Sequence, residues 1–333
     1  MIEMLKSNER LWDLFTKKEE YSPLLLDEYQ RFPYYLSRFR NVFKPEVSDF
    51  LIQNGLKVQY PNGKKFAVCL THDIDLVYSP ILKLGYEIKL SLPKLHIRIS
   101  SLRNFEQIMG LEKKYGAKSS FYFLAFDKGD LDFNYRIGEL EDWLGKIIDN
   151  GWEVGLHGGH KAYNNLDEIK KQKERLENVI GKKVIGYRNH LLKFKVPTTW
   201  ELLKEAGFKY DTTFGYNDCV GFRNGMCHPF KPFNLNTNDY IDILEIPLTI
   251  MDSTFDYYMR LSMKNEWEIT KRLIDTIEKL NGVLTILWHN TNMVDEMLEF
   301  YEEILRYCHK RNAWMTSAEE IWKWWDKNNF LER

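Results

Sequence analysis

The chain has 333 residues, enough for one barrel-sized domain with an extension or for two domains. Its 47 basic and 48 acidic residues give a net charge of −1, which argues against a nucleic-acid-binding surface. Its four cysteines form no CxxC pair. No window of the sequence is apolar enough for a membrane span, and the first thirty residues lack the apolar segment of a signal peptide. These features predict a cytoplasmic protein with reduced thiols.

The N-terminal part of the sequence has a helical pattern. Apolar residues recur at roughly helical spacing between Leu5 and Phe15. We interpret residues 1–60 as an N-terminal helical cap on a barrel domain that spans residues 61–333. The aromatic residues near Tyr34 are suited to packing on another surface or to sealing a dimer, so the sequence leaves a homo-oligomer open.

From residue 66 onward, short apolar segments alternate with helices. Alternating strands and helices predict a parallel sheet, and the lack of a glycine-rich phosphate loop after the first strand argues against a dinucleotide-binding sheet. Polar residues gather at the predicted carboxyl ends of the strands, where a parallel barrel has its active site. We therefore expect an α/β barrel. The predicted strands are 66–71, 119–124, 152–156, 183–188, 209–213, 241–246 and 283–289.

The first predicted strand leads into the sequence Thr71-His72-Asp73-Ile74-Asp75. A buried unpaired carboxylate is costly and two neighbouring carboxylates repel each other, so a divalent metal ion is a suitable partner for this pair. The alternative interpretation is a polar loop in which Asp73 or Asp75 caps a following helix.

Five of the eight histidines fall at or just beyond predicted strand ends. A single histidine is more often a structural residue than a ligand. Several histidines on one rim of a barrel, facing an acidic first strand, favour a metal site instead. One aspartate with two histidines, leaving positions for water, is typical of an open catalytic zinc site. The five are His72, His157, His160, His190 and His289.

Taken with these motifs, residues 60 to 330 resemble the polysaccharide deacetylases of the chitooligosaccharide-deacetylase type, the carbohydrate esterase family four homology domain. The resemblance is carried by the stretch from Thr71 to Asp75, similar to the family's Thr-Phe-Asp-Asp with one residue inserted, and by His157, Arg188 and His289. It implies a distorted parallel (β/α)7 barrel, here with an N-terminal helical extension. It also implies hydrolysis of N- or O-acetyl groups with one divalent metal ion, zinc being the expected ion.

The resemblance implies a role for each matching residue. Asp73 would be the general base, Arg188 would orient it, and His289 would be the general acid. Asp75 and His157 would be metal ligands. The inserted residue leaves open which of the two aspartates is the base and which is the ligand.

The third metal ligand departs from the family pattern. The family's second histidine follows the first by four residues, and Lys161 occupies that position here. His160 and His190 are the two candidates to replace it. We prefer His190, because it lies two residues after Arg188 and alternate residues of an extended segment point to the same face.

Three residues are predicted substrate contacts: Glu245 at the end of the sixth strand, Arg223 in a long loop over the barrel mouth, and His72. A salt-bridged Glu245 and a purely structural loop around Arg223 are the alternatives.

The expected function is metal-dependent removal of an acetyl group from an acetylated saccharide, in surface-polysaccharide metabolism. One alternative is a glycoside hydrolase on a related barrel, which would use two carboxylates such as Asp73 and Glu245 and would tolerate chelators. Another is a catalytically inactive barrel that binds a glycan or a protein, an interpretation favoured by Lys161.

Overall fold

The structure, a computed structural model, describes residues 2–78, 103–328 and 330. Within these residues, nine strands form one sheet in which every paired strand is parallel to its neighbour, and two more, Phe233–Asn234 and Asp239–Tyr240, form an antiparallel hairpin. The strands are β1 Ala67–Ile74, β2 Ser120–Leu124, β3 Glu153–Gly158, β4 Gly186–Asn189, β5 Tyr210–Asp211, β6 Phe233–Asn234, β7 Asp239–Tyr240, β8 Leu244–Glu245, β9 Ile250–Met251, β10 Val283–Leu287 and β11 Trp314–Thr316.

The large sheet has the order β8-β5-β4-β3-β2-β1-β10-β9, with β11 attached to β1. β11 pairs with Ala67–Cys69 in the first half of β1, and β2 pairs with Thr71–Ile74 in its second half. The two edge strands, β8 and β9, are joined directly by residues 246–249. The sheet therefore curls into an open barrel, and the predicted distorted (β/α)7 fold with N-terminal helices is confirmed.

Helices connect the strands and cover the outside of the sheet. The ends of the helix Leu166–Ile180 are well defined, since Asn165 Oδ1 accepts a hydrogen bond from the backbone N–H of Glu168 and Gly181 ends the helix with a φ of 67°. No helix among the described residues is long and apolar enough to cross a membrane. The helices are α1 Ile2–Lys6, α2 Glu9–Thr16, α3 Glu46–Gln53, α4 Phe105–Lys114, α5 Glu141–Asp149, α6 Leu166–Ile180, α7 Thr198–Glu205, α8 Met263–Lys279, α9 Asp295–Lys310 and α10 Ala318–Asn328.

All seven predicted strands are present, but their ends differ from the prediction. The difference that bears on the site concerns β1, which continues to Ile74, so that Asp73 lies within the strand and Asp75 is the first acidic residue beyond it. β9 and β11 of the large sheet and the hairpin strands β6 and β7 were missed. Strands of two or three residues are too short to show an apolar periodicity, and tertiary pairing alone defines them.

The N-terminal helices share a core with the barrel. Leu14 and Phe15 of α2 belong to the same buried cluster as the residues of β1. A buried ion pair adds a polar connection, because Arg223 Nε donates to Glu20 Oε1 at 3.1 Å and both side chains are 3% exposed. The predicted domain boundary at residue 60 stays a prediction.

We expect the substitution Glu20→Gln to lower the free energy of unfolding by about 3–5 kcal/mol, because it leaves the buried Arg223 guanidinium without its countercharge. Chemical denaturation measures this loss. The matched control is Arg10→Ala, which breaks an exposed pair with Glu46 and should cost less than about 1 kcal/mol. Equal losses in the two variants would contradict a structural role for the buried pair.

Candidate active site

The site is built at the carboxyl end of β1, a central strand between β2 and β10. Alternate residues of an extended segment point to the same side, so Thr71, Asp73 and Asp75 form one polar row. Asp73 is buried, whereas the Asp75 side chain is 24% exposed. The row therefore runs from the barrel interior to its mouth.

Three ligand atoms meet beside Asp75. Its Oδ1 lies 3.2 Å from His157 Nε2 and 3.4 Å from His190 Nδ1, and the two histidine nitrogens are 3.2 Å apart. Atoms that bind one tetrahedral zinc ion at usual bond lengths are about 3.3 Å from each other. Asp75 Oδ1 is buried and has no hydrogen-bond partner among the described residues. The triangle of one carboxylate oxygen and two imidazole nitrogens thus fits a single divalent ion.

The backbone fixes both histidines of this triangle. His157 lies on β3, and its Nδ1 is 3.1 Å from the carbonyl oxygen of Arg188, which can only accept. The His157 proton therefore sits on Nδ1, and Nε2 keeps a lone pair that could bind a metal ion in the triangle. His190 follows β4 in a turn in which Leu191 and Leu192 have φ values of 59° and 52°. Left-handed leucines cost about 1–3 kcal/mol each and persist where the surrounding structure imposes them.

The charges of the triangle are paired. Burial lowers the pKa of His190, but Asp75 and Asp132 outweigh this and raise it to about 9. Burial raises the pKa of Asp75, but His190 and His157 hold it well below its ordinary value. An imidazolium thus balances the carboxylate. Because metal ligands must be deprotonated, binding of a divalent ion here would release the His190 proton.

Asp73 and Arg188 lie deeper in the barrel. Asp73 Oδ2 is 3.5 Å from His157 Nε2, and Asp73 Oδ1 is 4.0 Å from Arg188 Nη1. Arg188 is fully buried and donates hydrogen bonds of 2.9 Å to the hydroxyls of Thr71 and Thr212. Neutral hydroxyl groups therefore hold the guanidinium in place. Its interaction with Asp73 is electrostatic, because the distance between them is longer than a hydrogen bond.

His289 follows β10, with Nε2 lying 3.7 Å from Asp75 Oδ2. The other ring nitrogen, Nδ1, donates to Asp252 Oδ1 at 2.6 Å, and the His289 backbone N–H donates to Asp252 Oδ2 at 2.7 Å. Burial lowers the pKa of His289, but the Asp252 carboxylate raises it to about 10. Sequence reasoning missed Asp252. The sequence does contain a pattern that could have indicated it: Asp252 directly follows an apolar segment that ends at Met251, as Asp73 follows the first apolar segment.

His160 lies outside the triangle. Its Nε2 is 2.7 Å from Asp132 Oδ2, and the same oxygen is 3.4 Å from His190 Nε2. Of the two candidates for the third ligand, the structure places His190, and not His160, beside Asp75 and His157. Asp132, His160 and His190 form a second group of potential ligand atoms. Asp132 was also missed, because it lies on a loop with no recognisable motif.

The three predicted substrate contacts lie in the protein interior. His72 is fully buried, with its ring nitrogens 2.8 Å from the Trp288 carbonyl oxygen and 2.9 Å from Glu112 Oε1. Glu245 is fully buried and accepts a hydrogen bond from the Trp200 indole at 2.8 Å. Arg223 is paired with Glu20, as described above. The structure thus encloses these side chains and bonds them to protein groups, and their contact with a substrate stays a prediction.

Comparison with solved structures identifies the fold. A presumed polysaccharide deacetylase from Mycobacterium smegmatis superimposes with a TM-score of 0.55 at 18% sequence identity, covering 80% of this chain and 92% of that one. At this identity the likeness concerns the fold alone. The fold implied by the sequence resemblance is thereby confirmed.

Two further similar structures have TM-scores too low to support an argument. A CE4 family pseudoenzyme from Bacillus anthracis gives 0.43 at 14% identity, covering 79% of this chain and 66% of that one. The peptidoglycan deacetylase PdaC from Bacillus subtilis gives 0.40 at 14% identity, covering 82% and 96%. No family model and no curated protein matches the sequence.

Proposed function

We propose that this chain, which has the fold of the polysaccharide deacetylases, is a metal-dependent hydrolase that removes an acetyl group from an N- or O-acetylated saccharide. The observation that carries the proposal is the triangle of Asp75, His157 and His190, with Asp73 and His289 next to it. The saccharide class, and a setting in surface-polysaccharide metabolism, are proposed from the resemblance to the deacetylases.

In this proposal Asp75, His157 and His190 hold one divalent ion, with zinc as the expected metal. Such an ion polarises a carbonyl oxygen and lowers the pKa of a water molecule bound to it. Asp73 is the general base. Its Oδ2 lies 3.5 Å from His157 Nε2, on the side of the triangle, which suits this carboxylate to take a proton from a water molecule there. Arg188 balances the charge of this carboxylate.

His289 is the general acid of the proposed reaction. Its Nε2 points toward Asp75, while Asp252 holds Nδ1 and keeps the ring protonated at neutral pH. The imidazolium donates its Nε2 proton to the departing sugar nitrogen or oxygen as the bond to the acetyl carbon breaks. The proposal needs no serine or cysteine nucleophile.

We expect Asp252→Asn to move the alkaline limb of the kcat/KM profile to lower pH by at least about one unit. Loss of the carboxylate removes a charge-assisted hydrogen bond and lowers the pKa of His289, so the acid is deprotonated earlier as the pH rises. The measurement is a pH–rate profile at saturating metal. Asp295→Asn, an exposed acid shortly after His289, is the control and should leave the limb in place. An unshifted limb in the Asp252 variant would exclude His289 as the acid.

The proposed function is tested by acetate release from N-acetylated and O-acetylated oligosaccharides. The protein is stripped with a chelator and then supplied with Zn²⁺, Co²⁺ or Mn²⁺. We expect acetate release only after a metal ion is restored. Cleavage of glycosidic bonds that survives the chelator would support a glycoside hydrolase instead. Tight saccharide binding with no turnover under any metal would support a binding module.

A further inference from the structure

A second carboxylate reaches the far side of His190. Asp132 lies between β2 and α5, and its Oδ2 is 3.4 Å from His190 Nε2 and 2.7 Å from His160 Nε2. Its backbone is left-handed, with a φ of 64°. The His190 and His160 side chains are 8% and 16% exposed, whereas the Asp132 side chain is 53% exposed, so the carboxylate reaches the two rings from the protein surface. Asp132 and His160 have no role in the proposed function as stated so far.

The tautomer of His190 decides whether it can bind a metal ion in the triangle. Its Nδ1 faces Asp75 and His157, so a metal ion in the triangle would need the lone pair of Nδ1, and the remaining ring proton would have to sit on Nε2. A buried Nε2–H needs an acceptor, and Asp132 Oδ2 lies in the right place. Metal-binding histidines commonly donate their second N–H to a carboxylate, which sets the tautomer and the ring orientation.

We propose that Asp132, held in place by His160, is a positioning residue that fixes His190 for metal binding. This inference rests on the proposed function, because it assumes an ion held by Asp75, His157 and His190. It also assigns a role to His160. The rings of His160 and His190 are nearly perpendicular, at 87°, with centroids 4.9 Å apart, so His160 supports the ligand through packing and through Asp132.

The geometry favours this role over a second metal ion bound by Asp132, His160 and His190. The contact between Asp132 and His160 is 2.7 Å, a hydrogen-bond length, shorter than the separation of about 3.3 Å expected between two ligands of one tetrahedral ion. His190 would also have to lose both ring protons to bind one ion at each nitrogen. A single proton on Nε2 satisfies Asp132 and leaves Nδ1 for the triangle.

The test is the affinity of the full chain for Zn²⁺, measured by competition with a chelating dye. We expect Asp132→Asn to weaken binding about 10–100-fold, as is usual when the partner of a metal-binding histidine is removed. Asp132→Ala should weaken it further, because it removes the acceptor altogether. The matched control is Asp130→Asn, which removes one charge from the same exposed loop and can still accept from the Asp127 N–H. It should bind Zn²⁺ as the wild type does. The Co²⁺ absorption spectrum, which reports the histidine ligands directly, should change in the Asp132 variants only.

Three results would overturn the inference. If Asp132→Asn binds as tightly as the wild type while His157→Ala loses the ion, Asp132 does not position His190 and the proposed function stands. If the wild type binds two ions and Asp132→Asn loses one without weakening the other, the triad is a second metal site. If the wild type binds no ion, both the inference and the proposed function fail. Melting of the metal-free variants, expected to match the wild type, separates metal loss from misfolding.

Discussion

The substitution Asp75→Asn should abolish metal binding and lower kcat/KM by about 10³-fold or more. Asp75 Oδ1 is the one carboxylate oxygen of the triangle, and an amide is a much poorer ligand for zinc. A metal ion contributes several kcal/mol to carbonyl activation, and about 4 kcal/mol corresponds to 10³-fold in rate. The measurements are elemental analysis of the purified variant and acetate release.

The control for this variant is Asp142→Asn, which removes an exposed acid on α5 and should leave both the metal content and the rate unchanged. An Asp75→Asn protein that keeps a stoichiometric ion would show that the ion lies elsewhere. A protein that loses the ion but keeps its rate would show that hydrolysis does not depend on the metal.

The substitution Asp73→Asn should have a different outcome, with the metal ion retained and kcat lowered about 10²–10⁴-fold. Asp73 lies outside the triangle, and its carboxylate is the proposed proton acceptor. Removing a general base typically costs activity in this range. Metal content and single-turnover acetate release, measured on the same preparation, separate the two effects.

These two variants also decide which of Asp73 and Asp75 is the general base and which is the metal ligand, a question that the sequence leaves open. If Asp73→Asn loses the ion and Asp75→Asn keeps it, the base and the ligand are exchanged. Arg188, which lies 4.0 Å from Asp73, would then balance a metal ligand rather than a base.

Much of the site follows from local sequence rules. Polar residues at the ends of apolar segments predicted a barrel with a site at one rim, since parallel strands end together. The two-residue spacing of Arg188 and His190 predicted that both side chains point to the same face, and the structure places Arg188 beside Asp73 and His190 beside Asp75. The backbone is extended from Arg188 to Asn189, so the alternation of side chains reaches His190 just beyond the strand.

Other parts depend on contacts between distant segments. Asp252 follows a two-residue strand that exists only because β10 pairs with it, and it meets His289 across 37 residues of sequence. Asp132 reaches His190 from a loop 58 residues away. The interior position of His72 depends on Glu112, a helix residue that no local pattern links to β1. Sequence spacing carries no information about such partners.

The most direct test of the account is the position of the metal ion in a crystal of the full chain grown or soaked with Zn²⁺. Anomalous difference density locates the ion without any assumption about activity. We expect one strong peak within bonding distance of Asp75 Oδ1, His157 Nε2 and His190 Nδ1, at about 2.0–2.2 Å from each. A peak bound by Asp132 and His160 instead, or no peak in this region at full zinc loading, would contradict the account.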